Sequence, residues 1–420
     1  MIFTLIKWLY AAINIYLIVL LYRSLRGNGV VRVVRVVSCL AAMLLSAAFP
    51  VSRMIHGNGL WAKSVTFAGT FWLSFILHVL LVLLALIVFR WLLISLFYLI
   101  IAWANWRNRN HHRVWVISVR KISQRERYII CGIVIGTALL ISSLGWLNTQ
   151  HPVTHEITLP APAHLKTPLR IVALSDTHLG RLVSPEDFSR LIDLIEPLQP
   201  DLVLFAGDII DDHYGYDPKA TRASLQRLHP RLGVWGIFGN HEYISSDQSG
   251  RIPATLPTGN RKYAIGDGAE QSLRLLEQGG IRILRDEWAD LGGELLLVGR
   301  DDLSRERFTE RQRKDLPDLL ASIPAEPRQQ PMILLDHQPF HLEEAENAGA
   351  FLQLSGHTHN GQLFPFNWLV ALIYENAYGY SRRGDTHYWV SSGAGTWGPR
   401  ARTTGRPEVV LITVTPELTN

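Results

Sequence analysis

The chain has 420 residues and a formal net charge of +5, room for more than one folded unit. The modest charge conceals two opposite halves: residues 1–150 hold 15 Lys and Arg and one acid, Glu126, a net of +14. The chain's 41 bases and 36 acids then leave 26 against 35 in residues 151–420, a net of −9.

The basic half is also the apolar half, so nucleic acid is excluded as the partner of its charge, and membrane spans with anchoring loops are expected. Cys39 and Cys131 both lie in apolar runs, which leaves no disulfide scaffold and no thiolate metal site. Four apolar stretches follow one another: Ile2–Tyr22, about Val36–Val51, Val65–Ala104 and Tyr128–Leu147. The second is short of the ~20 residues a crossing needs unless it takes in the preceding "VVRVV". The third encloses Arg90, but "VFRWLL" has no Gly, Pro or Asn to turn the chain, so one long helix and four spans in all are predicted. The first run lacks an A-x-A-like cleavage site and is followed by further spans, and reads as a retained anchor.

Arg23, Arg26, Arg32 and Arg35 follow the first span, and Arg107, Arg109, Arg113, Arg120, Lys121, Arg125 and Arg127 follow the third. The loop after the second has only Arg53 and Lys63, and "NTQHPVTH" after the fourth has no base. The positive-inside rule therefore puts the first and third loops in the cytoplasm. That predicts a multi-pass protein of a bacterial inner membrane with its acidic half outside, periplasmic in a Gram-negative cell. A turn at Arg90 would make five spans and move that half to the cytoplasm. The cluster "RNRNHHR" reads as a basic cytoplasmic loop rather than a metal site.

A Pro-rich linker over residues 151–168, "HPVTHEITLPAPAHLKTP", leads into a domain over 169–420. There, strands are expected at "LRIVALSD", "DLVLFAGD", "GVWGIFGN", "IRILRD", "ELLLVGR", "PMILLDH", "FLQLSGH", "HYWVSSG" and "EVVLITV". Helices fit "SPEDFSRLIDLIEPL", with Ser184 as N-cap, and "KATRASLQRLH", "AEQSLRLLEQG" and "FHLEEAENAG". The mixture predicts a layered α/β fold, helices outside one sheet or a pair of sheets. The polar stretch "SSDQSGRIPATLPTGNRKYAIGDG" reads as a surface loop bordering the site.

Five of these strands end in metal-ligating side chains. Asp176 and His178 follow the first, Asp208 the second, Asn240 and His241 the third, His337 another, and His357 and His359 yet another. In layered α/β folds such strand ends are where functional groups converge. A lone DxH or Gly-Asp is more often a turn or a cap, but a full set, each after its own strand, is not explained that way. Asp, His and Asn without thiolate suit Mn, Fe or Zn better than Ca. Seven ligands exceed what one ion needs and suffice for two that share a carboxylate.

The series DxH, GD, GNHE, HQP and GHTH resembles the calcineurin-like metallophosphoesterase family over about the whole of residues 151–420. The tail "YWVSSGAGTWGPRARTTGRPEVVLITV" is similar to its bacterial membrane-associated YkuE-type branch. The resemblance implies an α/β fold class, with an N-terminal multi-span transmembrane helical region followed by a layered αββα metallophosphoesterase domain. It further implies two divalent metal ions: Asp176, His178 and His359 at the first, Asn240, His337 and His357 at the second, and Asp208 bridging. His241 stays unliganded as the general acid for the leaving oxygen, and Asp211 and Glu242 are expected to orient imidazoles. Asn360 stands where many relatives carry Gly, beyond the ligands.

The expected activity is hydrolysis of a phosphomonoester, phosphodiester or pyrophosphate, with the bilayer and a phosphorylated small-molecule or lipid substrate as partners. Two alternatives stay open. One is a UDP-diacylglucosamine pyrophosphate hydrolase with a cytoplasmic catalytic face, and the other a non-catalytic sensor of phosphorylated ligands. Oligomeric state is left open. His213, His341 and His387 lack strand-end context and are expected at the surface or behind the ligands. "QLFPFNWLVALIY", Gln362–Tyr374, is expected as a core-packed helix, with a lipid-facing lip as the alternative.

Overall fold

The computed structural model describes residues 2–55, 59–107, 122–162, 165, 167–211, 217–244, 266–308 and 312–416. His213, most of the basic cluster at 107–113 and most of the polar loop at 245–268 lie outside them. The chain divides into two compact units, residues 1–50 with 71–143 and residues 51–70 with 144–420.

Every long apolar run is a helix: α1 (Ile2–Ser24), α2 (Val30–Ser52), α3 (Leu60–Arg107) and α4 (Gln124–Asn148). All four are long and apolar enough to cross a membrane. α2 does take in "VVRVV", and α3 runs unbroken through Arg90 for 48 residues. In the first unit Trp72 Nε1 donates to Asn14 Oδ1 at 2.8 Å, which satisfies both polar groups among apolar neighbours. Around them Ala42, Trp72 and Ile76 pack with Tyr10, Ile13 and Leu17.

The second unit continues in chain order with β1 (Val153–Pro160), β2 (Leu169–Leu174), α5 (Pro185–Ile195), β3 (Leu202–Ala206), α6 (Pro218–Leu225), β4 (Val234–Ile237), α7 (Asn240–Ile244), α8 (Gly266–Gln278), β5 (Ile281–Leu284) and β6 (Glu287–Leu291). It is completed by β7 (Leu295–Gly299), α9 (Arg305–Phe308), α10 (Leu316–Ala321), β8 (Met332–Leu335), α11 (Leu342–Asn347), β9 (Leu352–Ser355), α12 (Phe366–Ile373), β10 (Gly379–Arg383), β11 (Thr386–Val390) and β12 (Glu408–Thr415). Two six-stranded sheets result, in the orders β1-β12-β2-β3-β4-β5 and β10-β11-β9-β8-β7-β6.

Period-2 alternation sorts the strand residues into layers. Val172, Leu174, Val203 and Phe205 join Phe188 and Ile192 of α5 on one face. Ile171, Ala173, Leu202 and Leu204 turn the other way and meet Leu295, Leu297, Ile333, Leu335, Leu352 and Leu354 between the sheets. Leu296, Val298 and Leu334 pack on Leu316 and Leu319 of α10 beyond the second sheet. This is the αββα layering.

The structure departs from expectation in two segments. Val153–Pro160, expected within a linker, is a strand paired parallel with β12 from Val153↔Glu408 to Pro160↔Thr415. Its Val, Thr and Ile residues suit a strand, and it covers what would otherwise be the bare edge of β12. The stretch expected as a core-packed helix is a helix, α12, but none of its residues is buried.

Candidate metal centre

The site is built where parallel strands run out. Asp176 lies two residues beyond β2, Asp208 two beyond β3, Asn240 three beyond β4, and His337 and His357 two beyond β8 and β9. Backbone bonds carry the strand register into these loops: Asp176 N–H donates to Gly207 O at 2.9 Å, His178 N–H to Asp208 O at 3.1 Å and Gly356 N–H to His337 O at 2.9 Å.

All seven candidate ligands come together. His178 Nε2 and His359 Nε2 face each other at 3.0 Å, and Asp176 Oδ1 lies 3.3 Å from the second and 3.8 Å from the first. In a neighbouring group, Asp208 Oδ2 lies 3.2 Å from His337 Nε2, and His357 Nδ1 is 2.8 Å from Asn240 Oδ1. Asp208 Oδ2 is also 3.9 Å from His178 Nε2, so one carboxylate stands between both groups.

This donor set fits cations. Ligands held about 2.0–2.2 Å from an ion at 90–109° are themselves about 3.0–3.4 Å apart, and the His178–His359, Asp176–His359 and Asp208–His337 separations fall there. His337 Nδ1 lies 2.7 Å from the Ala206 carbonyl, which can only accept. That bond places the proton on Nδ1 and presents Nε2 as a lone pair, the usual preparation of a metal-binding histidine. His337 Nε2 and His178 Nδ1 are both buried without a hydrogen-bond partner; the first is aimed at Asp208.

Charge is concentrated in this small volume. Burial works to raise the Asp208 carboxyl, but His337, then His241 and His178, hold it well below the ordinary range. Burial would lower His337, and Asp208 overrides it and raises the ring well above its ordinary value. His357 is lowered by burial and by His337, and His359 well below normal by burial, His178 and Arg402.

His241 lies beside these groups with its Nδ1 2.6 Å from Asp211 Oδ1, while its backbone N–H donates to Asp208 Oδ1 at 2.8 Å. Burial opposes its charge, yet Asp208 and Asp211 together push it up to about 9. Desolvation works to raise the half-buried Asp211 carboxyl, and His241 and His178 bring it below the ordinary range. Asp211 therefore orients the candidate acid, with His178 Nδ1 only at 3.8 Å. Glu242, expected to orient an imidazole, is held by backbone amides. Its carboxylate accepts from the N–H groups of Gly239 and Ile209 at 2.7 Å, Ile210 at 2.9 Å and Asp208 at 3.2 Å. It clamps the Asp208 and Asn240 loops together, and burial with the nearby Asp208 charge pushes it up to about 8.

The backbone is strained where the ligands sit. Asp176, His178, Asp208, His357 and His359 all have φ between 48° and 69°, a left-handed conformation uncommon outside glycine. Two motif glycines are fixed by close approach. A Cβ on Gly239 would lie 2.2 Å from Asp208 Oδ1, and one on Gly356 would lie 2.2 Å from Asp176 Oδ2.

Three residues enter the site without having been expected there. Arg402 is buried, with Nη2 3.2 Å from His359 Nδ1 and donating to the carbonyls of Ser392 at 2.5 Å and Gly395 at 2.8 Å. Nothing in "GPRARTTGRPE" separates it from Arg400 or Arg406 before folding. The Trp397 ring is 6.0 Å from His241 and the Tyr374 ring 6.2 Å from His357; both lie in apolar or Gly-rich runs without a ligand motif. Of the other histidines, His341 is exposed and bridges to Glu343, while His387 is buried in β11 against Tyr380 and Phe351.

Known proteins resemble this chain in sequence. A profile of the calcineurin-like phosphoesterases matches residues 169–361. An uncharacterized metallophosphoesterase of Aquifex aeolicus is 30% identical over 66% of this chain and 97% of its own length. One of Helicobacter pylori is 31% identical over 59% of this chain and 60% of its own, so the chain spans well under two thirds of that relative. The uncharacterized metallophosphoesterase YkuE of Bacillus subtilis is 28% identical over 58% of this chain and 78% of its own length. With the matched segment covering all seven clustered side chains, this chain belongs to the calcineurin-like metallophosphoesterase family.

Proposed function

We propose that the chain is a membrane-anchored, two-metal phosphoesterase. The observation that carries this reading is the convergence of seven ligand side chains from five strand ends, with Asp208 Oδ2 between two imidazole groups. Asp176, His178 and His359 would hold one divalent cation, Asn240, His337 and His357 the other, and Asp208 both. The metal is Mn, Fe or Zn by the chemistry of the donors. Bound there, the pair would supply the charge that binds phosphoryl oxygens and activates water.

The chain's own residues do the rest. His241, protonated up to about pH 9 through Asp208 and Asp211, delivers a proton to the departing oxygen. Asp211 fixes that ring, and Glu242 fixes the loops that carry Asp208 and Asn240. The bond cleaved is a phosphomonoester, phosphodiester or pyrophosphate, and anchoring in a membrane favours a lipid-linked molecule as its carrier. The charge asymmetry of the loops supports an inner-membrane protein whose catalytic face is extracytoplasmic. The test is turnover of bis-p-nitrophenyl phosphate by the detergent-solubilised full chain with Mn. Activity abolished by a chelator and restored by metal is expected. Tight binding of phosphorylated ligands without any metal-dependent turnover of that diester or its monoester would replace the enzyme with a sensor. The natural carrier is found by comparing lipid-linked phosphate pools with and without the gene.

A further inference from the structure

α12 reads Phe-Asn-Trp-Leu-Val-Ala-Leu-Ile and contains neither acid nor base. Apolar helices of a water-soluble body turn one stripe into the core. This one has no buried residue: Trp368 is 63% exposed, Leu369 52%, Leu372 84% and Ile373 56%. Trp368 with Leu372, and Leu369 with Ile373, are spaced four apart, so they form one continuous apolar stripe, extended by Phe364, whose ring meets Trp368 at 4.9 Å. A patch of this kind marks a docking surface.

Its surroundings identify the occupant. Thr403 N–H donates to Gln362 O at 2.9 Å and Phe364 N–H to Thr403 Oγ1 at 2.8 Å, at the root of α12. The adjacent residue, Arg402, donates its N–H to Gly145 O at 2.8 Å and accepts from Asn148 Nδ2 at 3.0 Å, in the last turn of α4. Only residues 402 and 403 thus separate α12 from the point where α4 ends. With 25 residues, α4 is about 37 Å long, against about 30 Å of hydrocarbon, so its last turn belongs to the membrane–water interface. Trp146 in that turn packs on Phe67. With Trp368 and Trp397 exposed nearby, the chain has the Trp-rich composition of an interfacial belt.

We propose that α12 inserts into the headgroup and upper acyl region of the bilayer that α4 crosses, as a lip beside the metal centre. The proposal shares with the proposed function only the spanning of the membrane by the N-terminal helices, and its test does not use catalysis. Full-length protein carrying Cys39→Ser and Cys131→Ser is labelled with a nitroxide at Leu372→Cys in phosphatidylethanolamine–phosphatidylglycerol nanodiscs. Collisional access to oxygen and to a water-soluble nickel chelate is compared with a label at Glu277→Cys, an exposed position on α8. Several-fold preference for oxygen at 372, with preference for nickel at 277, is the expected result. Nickel access at 372 equal to that at 277 overturns the proposal. So does shielding from both reagents with dipolar broadening between labels, which would assign the stripe to a second copy of the chain. A label at Leu369→Cys repeats the measurement should the first variant fail to fold. Loss of enzyme activity in these variants bears on the phosphoesterase reading alone.

Discussion

His241 touches two carboxylates and, although it lies within ligand reach of His178 and Asp208, the proposed function keeps it off the metals as the proton donor. His241→Ala should leave bound metal unchanged by elemental analysis while lowering turnover by about 10²–10⁴. Asp208→Asn removes the charge shared by both groups and should lower the content of both metals. The candidate acid also carries a pH signature. Its value is raised to about 9 by Asp208 and Asp211, so the proton is present below that pH and lost as pH rises through it. Asp211→Asn withdraws one of the two raising charges. The alkaline limb of kcat/KM should therefore move to lower pH, and an unmoved limb would detach Asp211 from the acid. The candidate ligands were legible in the sequence because each follows a strand that periodicity already marks. The clamp made by Glu242 was not, since its partners are backbone amides, which every residue has. Nor was Arg402, brought to His359 by tertiary folding over 43 positions.

Nine strands and five helices of the acidic half were legible at the level of elements, and the three missed strands share a cause. β1, β6 and β10 lie at the edges of the two sheets, where half-solvated strands lose the unbroken apolar run that marks the central ones. α5 was legible through its cap. Ser184 Oγ accepts from Asp187 N–H at 3.2 Å and Asp187 Oδ2 accepts from Ser184 N–H at 2.9 Å. Ser184→Ala should lower stability by about 0.5–2 kcal/mol, read as the unfolding midpoint. Loop geometry is less forgiving. Gly356→Ala would drive a Cβ into Ser175 Oγ and Asp176 Oδ2, and metal content should fall even though no ligand is changed. α12 was legible as a helix but misplaced in the core, because periodicity shows how apolar residues repeat and says nothing of which solvent they meet.

At the level of the whole molecule, the unequal distribution of Arg and Lys among the loops makes a direct forecast. Alkaline phosphatase fused after Asn420 should be active in cells, and a β-galactosidase fusion at the same place silent; the reverse pattern would put the catalytic face in the cytoplasm. The contacts of Arg402 with Gly145 and Asn148 bear on how the protein can be cut. The guanidinium of this residue steadies His359, and its own peptide group is pinned by the final turn of a hydrophobic rod. Excising that rod to obtain a convenient soluble fragment from His151 onward would remove a buttress from behind the reaction chamber. Such a fragment should melt earlier and retain metal less firmly than the intact chain, which would make the anchor a structural member of the metal-binding domain as well as its mooring.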